Sequence, residues 1–313
     1  MKMNPMYRKE LRLSTRTFKF ALIVTLYNAF LALVTLFLFW IFFDVNASNI
    51  YESIDYQDVI YIYLATGLIQ YGLMLIIVPV SAASSISGER ERQTLEILLT
   101  TTMKPSQIVV GKLESSLSMI LLLVVSSIPV LSIVFSIGGI TMGQVVQLVF
   151  LILVTAVYAG SVGMWASSKL KKTIPAVVST FGMMFIIGIG TIAILWVLGT
   201  CVNAYYTTNY PNMAVPDLGN AGLILLINPV FTAMSMFSNQ VGLGEGMEYV
   251  LSYVFDCDVN SHIVNHWFVI SVVVQMIFSI FLLYRSAKSL DPLRKRRKSF
   301  KEIRAERELK KDL

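Results

Sequence analysis

Charged residues are scarce in this sequence. They make up 14% of its 313 positions, whereas 56% of the residues are apolar. Soluble domains usually contain about 25% charged residues, so this scarcity excludes an ordinary water-soluble fold. The apolar residues also occur in long uninterrupted runs, which predict a series of lipid-facing helices rather than one buried core.

Basic residues are absent from long stretches of the chain. All 25 lie in four clusters: six from Lys2 to Lys19, four from Arg90 to Lys112, three from Lys169 to Lys172, and twelve from Arg285 to Lys311. The first and third gaps between these clusters contain acidic residues instead. Because basic residues beside membrane spans stay in the cytoplasm, each gap must leave and re-enter the cytoplasm. Each gap therefore contains an even number of spans, and both termini are predicted to be cytoplasmic.

About 20 helical residues cross a hydrocarbon core, so each gap accommodates two spans. The sequence therefore predicts an all-α polytopic protein of the plasma membrane with six transmembrane helices. The predicted spans are residues 20–43, 59–84, 115–137, 144–167, 174–199 and 264–284. Residues 1–290 then form one transmembrane domain, and residues 291–313 form a basic cytoplasmic tail.

One apolar stretch does not fit this count. Residues 218–237 are long enough to cross the membrane, but a seventh crossing would place the C-terminal basic cluster outside the cell. We therefore predict a re-entrant or interfacial helical segment, broken at Asn228 and Pro229, within the exoplasmic segment 200–263.

Both ends of the chain are basic. Arg8, Arg12 and Arg16 recur at helical spacing near the N-terminus, which predicts either an amphipathic helix lying in the interface or an ordinary positive anchor. The cluster at residues 294–298 of the tail contains no aromatic residue to stack on bases. We therefore expect the lipid bilayer, and no nucleic acid, as a partner of these segments.

Cysteine and histidine are also rare, with two of each. Cys201 and Cys257 both fall in the exoplasmic segment, where a disulfide is feasible but not required. His262 and His266 lie one helical turn apart, but such residues are more often polar caps at a membrane boundary, so we predict no metal site. An intramembrane enzyme using these histidines and Glu248 is an alternative class, although metalloprotease signatures such as HExxH are absent.

The segment between the second and third predicted spans has the most distinctive pattern. Residues 87–112 read SGERERQTLEILLTTTMKPSQIVVGK. Ser87 is predicted to cap a helix with Glu89 and Glu91 in its first turn, where carboxylates meet the positive end of the helix dipole. The leucines that follow form one apolar side. The pattern therefore predicts a short amphipathic helix that projects into the cytoplasm.

This segment resembles the permease subunits of ABC-2 type transporters, whose usual pattern is close to GERERGTLELLLTTPLSPWEIVLGK. The matching residues are Gly88–Arg92, Thr94–Glu96, Leu98–Thr101, Pro105 and Val110–Lys112. The resemblance includes Asn4-Pro5 and Asn228-Pro229 and covers essentially the whole chain. It departs at Gln93, where the family usually has glycine, and at Thr102, where the family usually has proline.

The resemblance implies an exporting permease and a separate cytosolic ABC ATPase that binds ATP and magnesium. The segment would be the coupling helix that docks into this ATPase. The residues implied in that contact are Gly88, Glu89, Arg90, Glu91, Arg92, Thr94, Leu95, Glu96, Leu98 and Leu99. No catalytic residue or cofactor is expected in this chain, because Gly111-Lys112 lacks the upstream glycine of a phosphate loop.

A second permease subunit, identical or related, would complete the translocation pathway along the interface between the two. Asn28, Gln70 and Gln275 lie within predicted spans, and such polar side chains are costly when they face lipid. We expect them to face protein or a cavity, in the pathway or at the interface. The alternative to transport is a sensor or scaffold that binds a ligand outside and reports it through the cytoplasmic helix.

Overall fold

A computed structural model describes residues 18–44, 56–100, 103–137, 140–241, 246–255 and 257–290. The predicted N-terminal interfacial helix and the predicted basic tail lie outside these residues. Within the described ranges the chain forms helices and no strand. The α-helices are α1 (Phe18–Asp44), α2 (Tyr56–Glu91), α3 (Leu95–Leu99), α4 (Pro105–Ser126), α5 (Ile128–Ile137), α6 (Met142–Lys169), α7 (Thr173–Phe185), α8 (Thr191–Asn209), α9 (Pro229–Val241), α10 (Gly246–Tyr249), α11 (Ser261–Asn265) and α12 (Trp267–Leu290). Two π-helical turns, Ile186–Gly190 and Val250–Val254, and a 3-10 helix, Gly219–Ile227, lie between them.

Six helical stretches are long and apolar enough to cross a membrane. They are Phe20–Phe42, Val59–Glu91, Pro105–Ser136, Met142–Lys169, Thr173–Asn209 and Trp267–Leu290. Each overlaps one predicted span. The all-α fold with six candidate spans is therefore confirmed for the described residues.

Three span boundaries differ most from the predicted ones. Span two continues to Glu91 instead of ending at 84, span three begins at Pro105 instead of 115, and span five continues to Asn209 instead of ending at 199. An apolar run marks only the part of a helix inside the hydrocarbon, whereas backbone hydrogen bonds continue a helix beyond it. The charged residues Arg90 and Lys112 lie in such continuations.

The apolar stretch that did not fit the count forms two short helices joined at a sharp angle. The 3-10 helix and α9 meet at 100°, with Asn228 between them. Pro229 begins α9, where its missing N–H costs no helical hydrogen bond, and Asn228 Oδ1 accepts from the N–H of Val230. The break therefore lies at the predicted residues, and the bend is that of a broken span or a re-entrant loop.

Span four, α6, is the central helix of the bundle. In the most apolar part of α6, 67% of the residues are buried, whereas in the most apolar part of span five only 11% are buried. It packs mainly against α2 and α12. The approach of α2 is closest at Gly163, where an added Cβ would lie 2.8 Å from the Cβ of Ala82. Glycine at this position therefore allows the two backbones to touch.

Candidate functional site: the connection between spans two and three

Four helix ends meet at one end of the bundle, which we call the basic end. Helix α2 ends there at Glu91 and α6 ends at Lys169. Helix α4 begins there at Pro105, and α7 begins at Thr173. The residues of the predicted coupling segment lie among these four ends.

The segment does not begin with a new helix at Ser87, as the sequence suggested. Residues 88–91 continue α2 without a break, and Ser87 Oγ donates to the carbonyl of Ala83 inside that helix. The N–H of Ser87 also donates to Ser167 Oγ of α6 at 2.8 Å. An unbroken helix needs no cap at this point, so the connection between spans two and three consists of residues 92–104.

Helix α2 ends in a Schellman motif at Gln93. The N–H of Gln93 donates to the carbonyl of Arg90 at 3.1 Å, and the N–H of Thr94 donates to the carbonyl of Glu89 at 2.9 Å. This motif requires left-handed backbone, and Gln93 has a φ of 60°. Residues with a Cβ pay about 1–2 kcal/mol in that conformation, whereas glycine does not. Gln93, which replaces the family's usual glycine, therefore lies at a position where the backbone conformation favours glycine.

Glu89 joins α2 to α4. Its Oε1 accepts from Lys112 Nζ at 3.0 Å, and the same ammonium donates to the carbonyl of Ser85 at 2.9 Å. The Lys112 side chain is only 2% exposed and that of Glu89 is 26% exposed. A charge as buried as Lys112 is tolerated when it is paired and hydrogen-bonded, so this ion pair holds the two helices at a fixed separation.

Arg90 joins α2 to the end of α6. Its Nη1 donates to the carbonyl of Leu170 at 2.8 Å, and its Nη2 donates to the carbonyl of Ser168 at 3.0 Å. The last carbonyls of a helix have no intrahelical donor and carry partial negative charge. The guanidinium, with its two parallel donors, therefore acts as a cap on span four.

Glu91 joins α2 to the start of α7. Its Oε2 accepts from the N–H of Thr173 at 3.1 Å and from Thr173 Oγ1 at 2.6 Å. The first N–H groups of a helix lack intrahelical acceptors and favour a carboxylate. Glu91 therefore caps the beginning of span five, as Arg90 caps the end of span four.

Helix α3 is a single amphipathic turn. Leu95 is buried, and Leu98 is half-buried against the same cluster, which includes Ile86 and Leu113. On the opposite side Ile97 is 69% exposed. The side chain of Leu99 and the residue Thr102 lie outside the described part of the chain. Helix α3 is thus fixed to the bundle by its leucines and presents an apolar side chain to the surroundings.

The six polar residues among the predicted contacts divide into two groups. The side chains that bind other helices of the chain are Glu89, Arg90 and Glu91. The exposed side chains are Arg92, Thr94 and Glu96. Helix α2 is continuous and its last charged residues hold α4, α6 and α7, so the connection is linked to the ends of spans two to five. Sequence reasoning found these charges but not their partners, which lie between 23 and 82 positions away in the chain. Only the acidic and basic character of the motif signalled that such partners exist.

The polar residues inside the spans contact other helices of the chain. Asn28 Nδ2 donates to Ser126 Oγ and Gln70 Nε2 donates to Ser127 Oγ, each at 2.8 Å. These serines lie at the break between α4 and α5. Gln275 Nε2 of α12 donates to Thr232 Oγ1 of α9 at 2.6 Å. These contacts join spans one, two and three to each other, and span six to the bent pair.

The rare cysteines and histidines are not brought into one site. No bond joins Cys201 to Cys257: Cys201 is exposed on α8, and Cys257 is buried. His266 Nδ1 lies 3.1 Å from the carbonyl oxygen of His262. No group of three or more His, Cys, Asp or Glu side chains in the described ranges could hold a metal ion.

Six apolar helices, of which spans two to five are joined at one end by the charges of the motif, define a polytopic integral membrane protein. A family model described as "ABC-2 family transporter protein" matches residues 44–285. The chain belongs to this family, and it is a permease component of an ABC transporter. Components of this kind are generally not catalytic, and they associate with an ABC ATPase and the membrane. A comparison with curated proteins finds no match.

Proposed function

We propose that the chain forms, with a second identical or related permease, the translocation pathway of an ABC exporter. The basic end faces the cytoplasm, and both termini lie on that side of the plasma membrane. Helix α3 and the exposed side chains beside it dock into a separate cytosolic ATPase, which binds ATP and magnesium. Movement of that ATPase is passed to spans two to five.

One observation supports this proposal above the others. The side of α3 that holds it to the bundle is apolar and buried, while its opposite side exposes Ile97 in a turn flanked by charged residues. Protein–protein contacts commonly have an apolar centre surrounded by polar residues, and Ile97 with its charged neighbours has this composition. The charges of the α2 end are at the same time used inside the chain, so the contact is rigidly linked to the spans.

The docking contact can be tested by co-purification in mild detergent. The Ile97→Glu variant should lose the ATPase while keeping the folded membrane domain, because Ile97 contacts little of its own chain. Met213→Glu is the matched control, since Met213 is also exposed but lies at the opposite end of the bundle. Equal retention of the ATPase by the wild type and the Ile97→Glu variant would contradict the docking surface.

The side of the membrane on which the basic end lies is tested separately, by cysteine labelling. In a Cys201→Ser background, the Ile97→Cys variant should react with a membrane-impermeant maleimide only after the cells are opened. Reaction in intact cells would contradict a cytoplasmic basic end.

ATP-dependent flux in sealed vesicles then distinguishes a transporter from the sensor or scaffold, which would bind the ATPase without moving a substrate.

A further inference from the structure

Helix α12 ends at the basic end, where Leu290 packs in the same apolar cluster as helix α3. Its last turns contain two pairs of a cation and an aromatic ring. The guanidinium carbon of Arg285 lies 5.9 Å from the centre of the Phe281 ring, and Lys288 Nζ lies 5.7 Å from the centre of the Tyr284 ring. All four side chains are exposed. In each pair the ring precedes the cation by four positions, so both charges lean back toward the membrane-spanning part of the helix.

Helix α6 ends beside α12 with a third pair of the same kind. Ser289 Oγ of α12 donates to the carbonyl of Ser168 at 3.5 Å, so the two helix ends are adjacent. Lys169 Nζ lies 3.8 Å from the centre of the Trp165 ring, and Lys169 is exposed. Here too the ring precedes the cation by four positions. We call the three cations, Lys169, Arg285 and Lys288, the cationic patch.

The cationic patch includes both sides of the seam between spans four and six. The rings of Tyr158 on α6 and Phe278 on α12 are 5.9 Å apart, which identifies the helix faces that meet on this flank of the seam. Trp165 follows Tyr158 by seven residues, and Lys169 follows Trp165 by four. Arg285 follows Phe278 by seven residues. Separations of four and seven return to the same face of a helix, so Lys169 and Arg285 lie on one flank of the seam.

No described carboxylate neutralises the cationic patch. None of its three side chains forms an ion pair with another residue in the ranges that the structure describes. The chain that follows α12 adds more positive charge, because residues 285–300 contain seven basic residues and one acidic residue, Asp291. A surface with this charge attracts anions.

The surface on the membrane side of the cationic patch is apolar. Phe281 and Ile277 lie seven and eleven residues before Lys288, so they share its face of α12. Their side chains are 53% and 63% exposed. Along this face the order toward the helix end is aliphatic side chain, aromatic ring and cation. A phospholipid has the matching order of acyl chain, interfacial glycerol region and phosphate.

We propose that the cationic patch binds the phosphate of an anionic phospholipid such as phosphatidylglycerol. The phosphate lies at the end of the seam, where Lys169 and Arg285 approach it from two helices and Lys288 adds a third charge. The guanidinium suits phosphate oxygens because its donors are paired in one plane. The acyl chains cover Phe281 and Ile277. A zwitterionic lipid fits less well, because its ammonium would meet three cations and no described acid.

The test is native mass spectrometry of the purified full-length chain in detergent, without any ATPase, so its result does not depend on transport. Three lipids with the same acyl chains are compared: phosphatidylglycerol, phosphatidylethanolamine and phosphatidylcholine. The first should bind about tenfold more tightly than either zwitterionic lipid. Equal binding of all three lipids, or tighter binding of a zwitterionic one, would overturn the proposal.

A double variant separates the cationic patch from the basic tail. Arg285→Gln with Lys288→Gln should abolish the preference for phosphatidylglycerol. Arg296→Gln with Arg297→Gln is the control, since it removes the same charge from the tail and should keep the preference. An unchanged preference in the first variant, or a loss in the tail variant alone, would assign the lipid to another place and overturn the patch.

Lys169→Gln tests whether the site includes both helices. It should weaken the binding of phosphatidylglycerol about fivefold, because one of the three charges around the phosphate is removed. Lys171→Gln is the control, since Lys171 is also exposed but lies beyond the end of α6. Equal effects of the two substitutions would indicate a general effect of charge and overturn the shared site.

A last arm separates the lipid from a soluble phosphate ester of the same chemistry. Glycerophosphoglycerol carries the headgroup without acyl chains. We expect it to displace phosphatidylglycerol only at concentrations about a hundredfold above those of the lipid, because it covers none of the apolar surface of α12. Equal affinity of the two would overturn the lipid as the source of the phosphate.

Discussion

Asn228 donates its side-chain amide to the carbonyl of Gly188 at 2.8 Å, and this bond joins the bent helix pair to span five. Gly188 lies in the π-helical turn at residues 186–190, where the regular α-helical bonding pattern is interrupted. The same amide also donates to Thr191 Oγ1 at 2.9 Å. Two irregular points of the backbone, the break before α9 and the π turn, are thus held together by one buried side chain.

The Asn228→Ala variant should therefore be clearly less stable. It removes three side-chain hydrogen bonds, to Gly188, Thr191 and Val230, from a residue that is fully buried, at an expected cost of about 1–3 kcal/mol. Thermal unfolding in mild detergent measures the effect. Asn209→Ala is the control, because the Asn209 amide donates to a neighbouring carbonyl on an exposed surface. Equal destabilisation by the two substitutions would contradict the role of the Asn228 contact.

The Gln93→Gly variant should be more stable than the wild type. Glycine relieves the left-handed conformation at the end of α2, for an expected gain of about 1 kcal/mol. Slower amide hydrogen exchange over residues 91–99 would show that the gain is local. Thr94→Gly is the comparison, since Thr94 has a φ of −88° and glycine gives no relief there. A loss of stability in Gln93→Gly would contradict the observed turn.

Breaking the ion pair between Glu89 and Lys112 from one side should be costly. The Glu89→Gln variant leaves the buried ammonium without its counter-charge, and we expect a loss of about 3 kcal/mol. Adding Lys112→Met should recover most of that loss, because the double variant buries no charge. Thermal unfolding of the four proteins gives the coupling energy. Additive losses in the double variant would show that the two side chains do not act as a pair.

The Arg90→Lys variant should loosen the end of span four even though it keeps the charge. A lysine ammonium is a single point donor, so it cannot reproduce the two parallel bonds to the carbonyls of Ser168 and Leu170. We expect faster hydrogen exchange in residues 168–173. The exposed Arg92→Lys variant should leave that exchange unchanged. Equally slow hydrogen exchange of these amides in the Arg90→Lys variant and in the wild type would contradict the cap.

Cys201 should react with maleimide reagents without prior reduction. It is exposed on α8 and is not bonded to Cys257, which is buried and should react only after unfolding. Mass spectrometry of the labelled protein counts the modified thiols, and Cys201→Ser should remove the rapid modification. Labelling of Cys201 that requires a reductant would show that a disulfide forms after all.

The six spans could be predicted because their cause is local. A run of apolar residues is excluded from water wherever it lies in a fold, and the basic clusters mark where the chain returns to one side. The break at Asn228 and Pro229 was predicted for the same kind of reason, since proline cannot continue a helix from within. Helix ends were predicted less well. Glu91 and Pro105 lie beyond the apolar runs, where the turn at Gln93 and the cap before Pro105 end and begin the helices and hydrophobicity gives no signal.

The candidate site likewise has features that the local sequence determines and features that depend on distant residues. The sequence alone determined that a charged motif connects spans two and three, because residue type and order are enough to recognise it. It did not determine that Arg90 caps span four, that Glu91 caps span five, or that Lys112 is buried against Glu89. Only the tertiary structure decided these, since a hydrogen bond between residues tens of positions apart exists only once packing has brought their helices to the same end of the bundle.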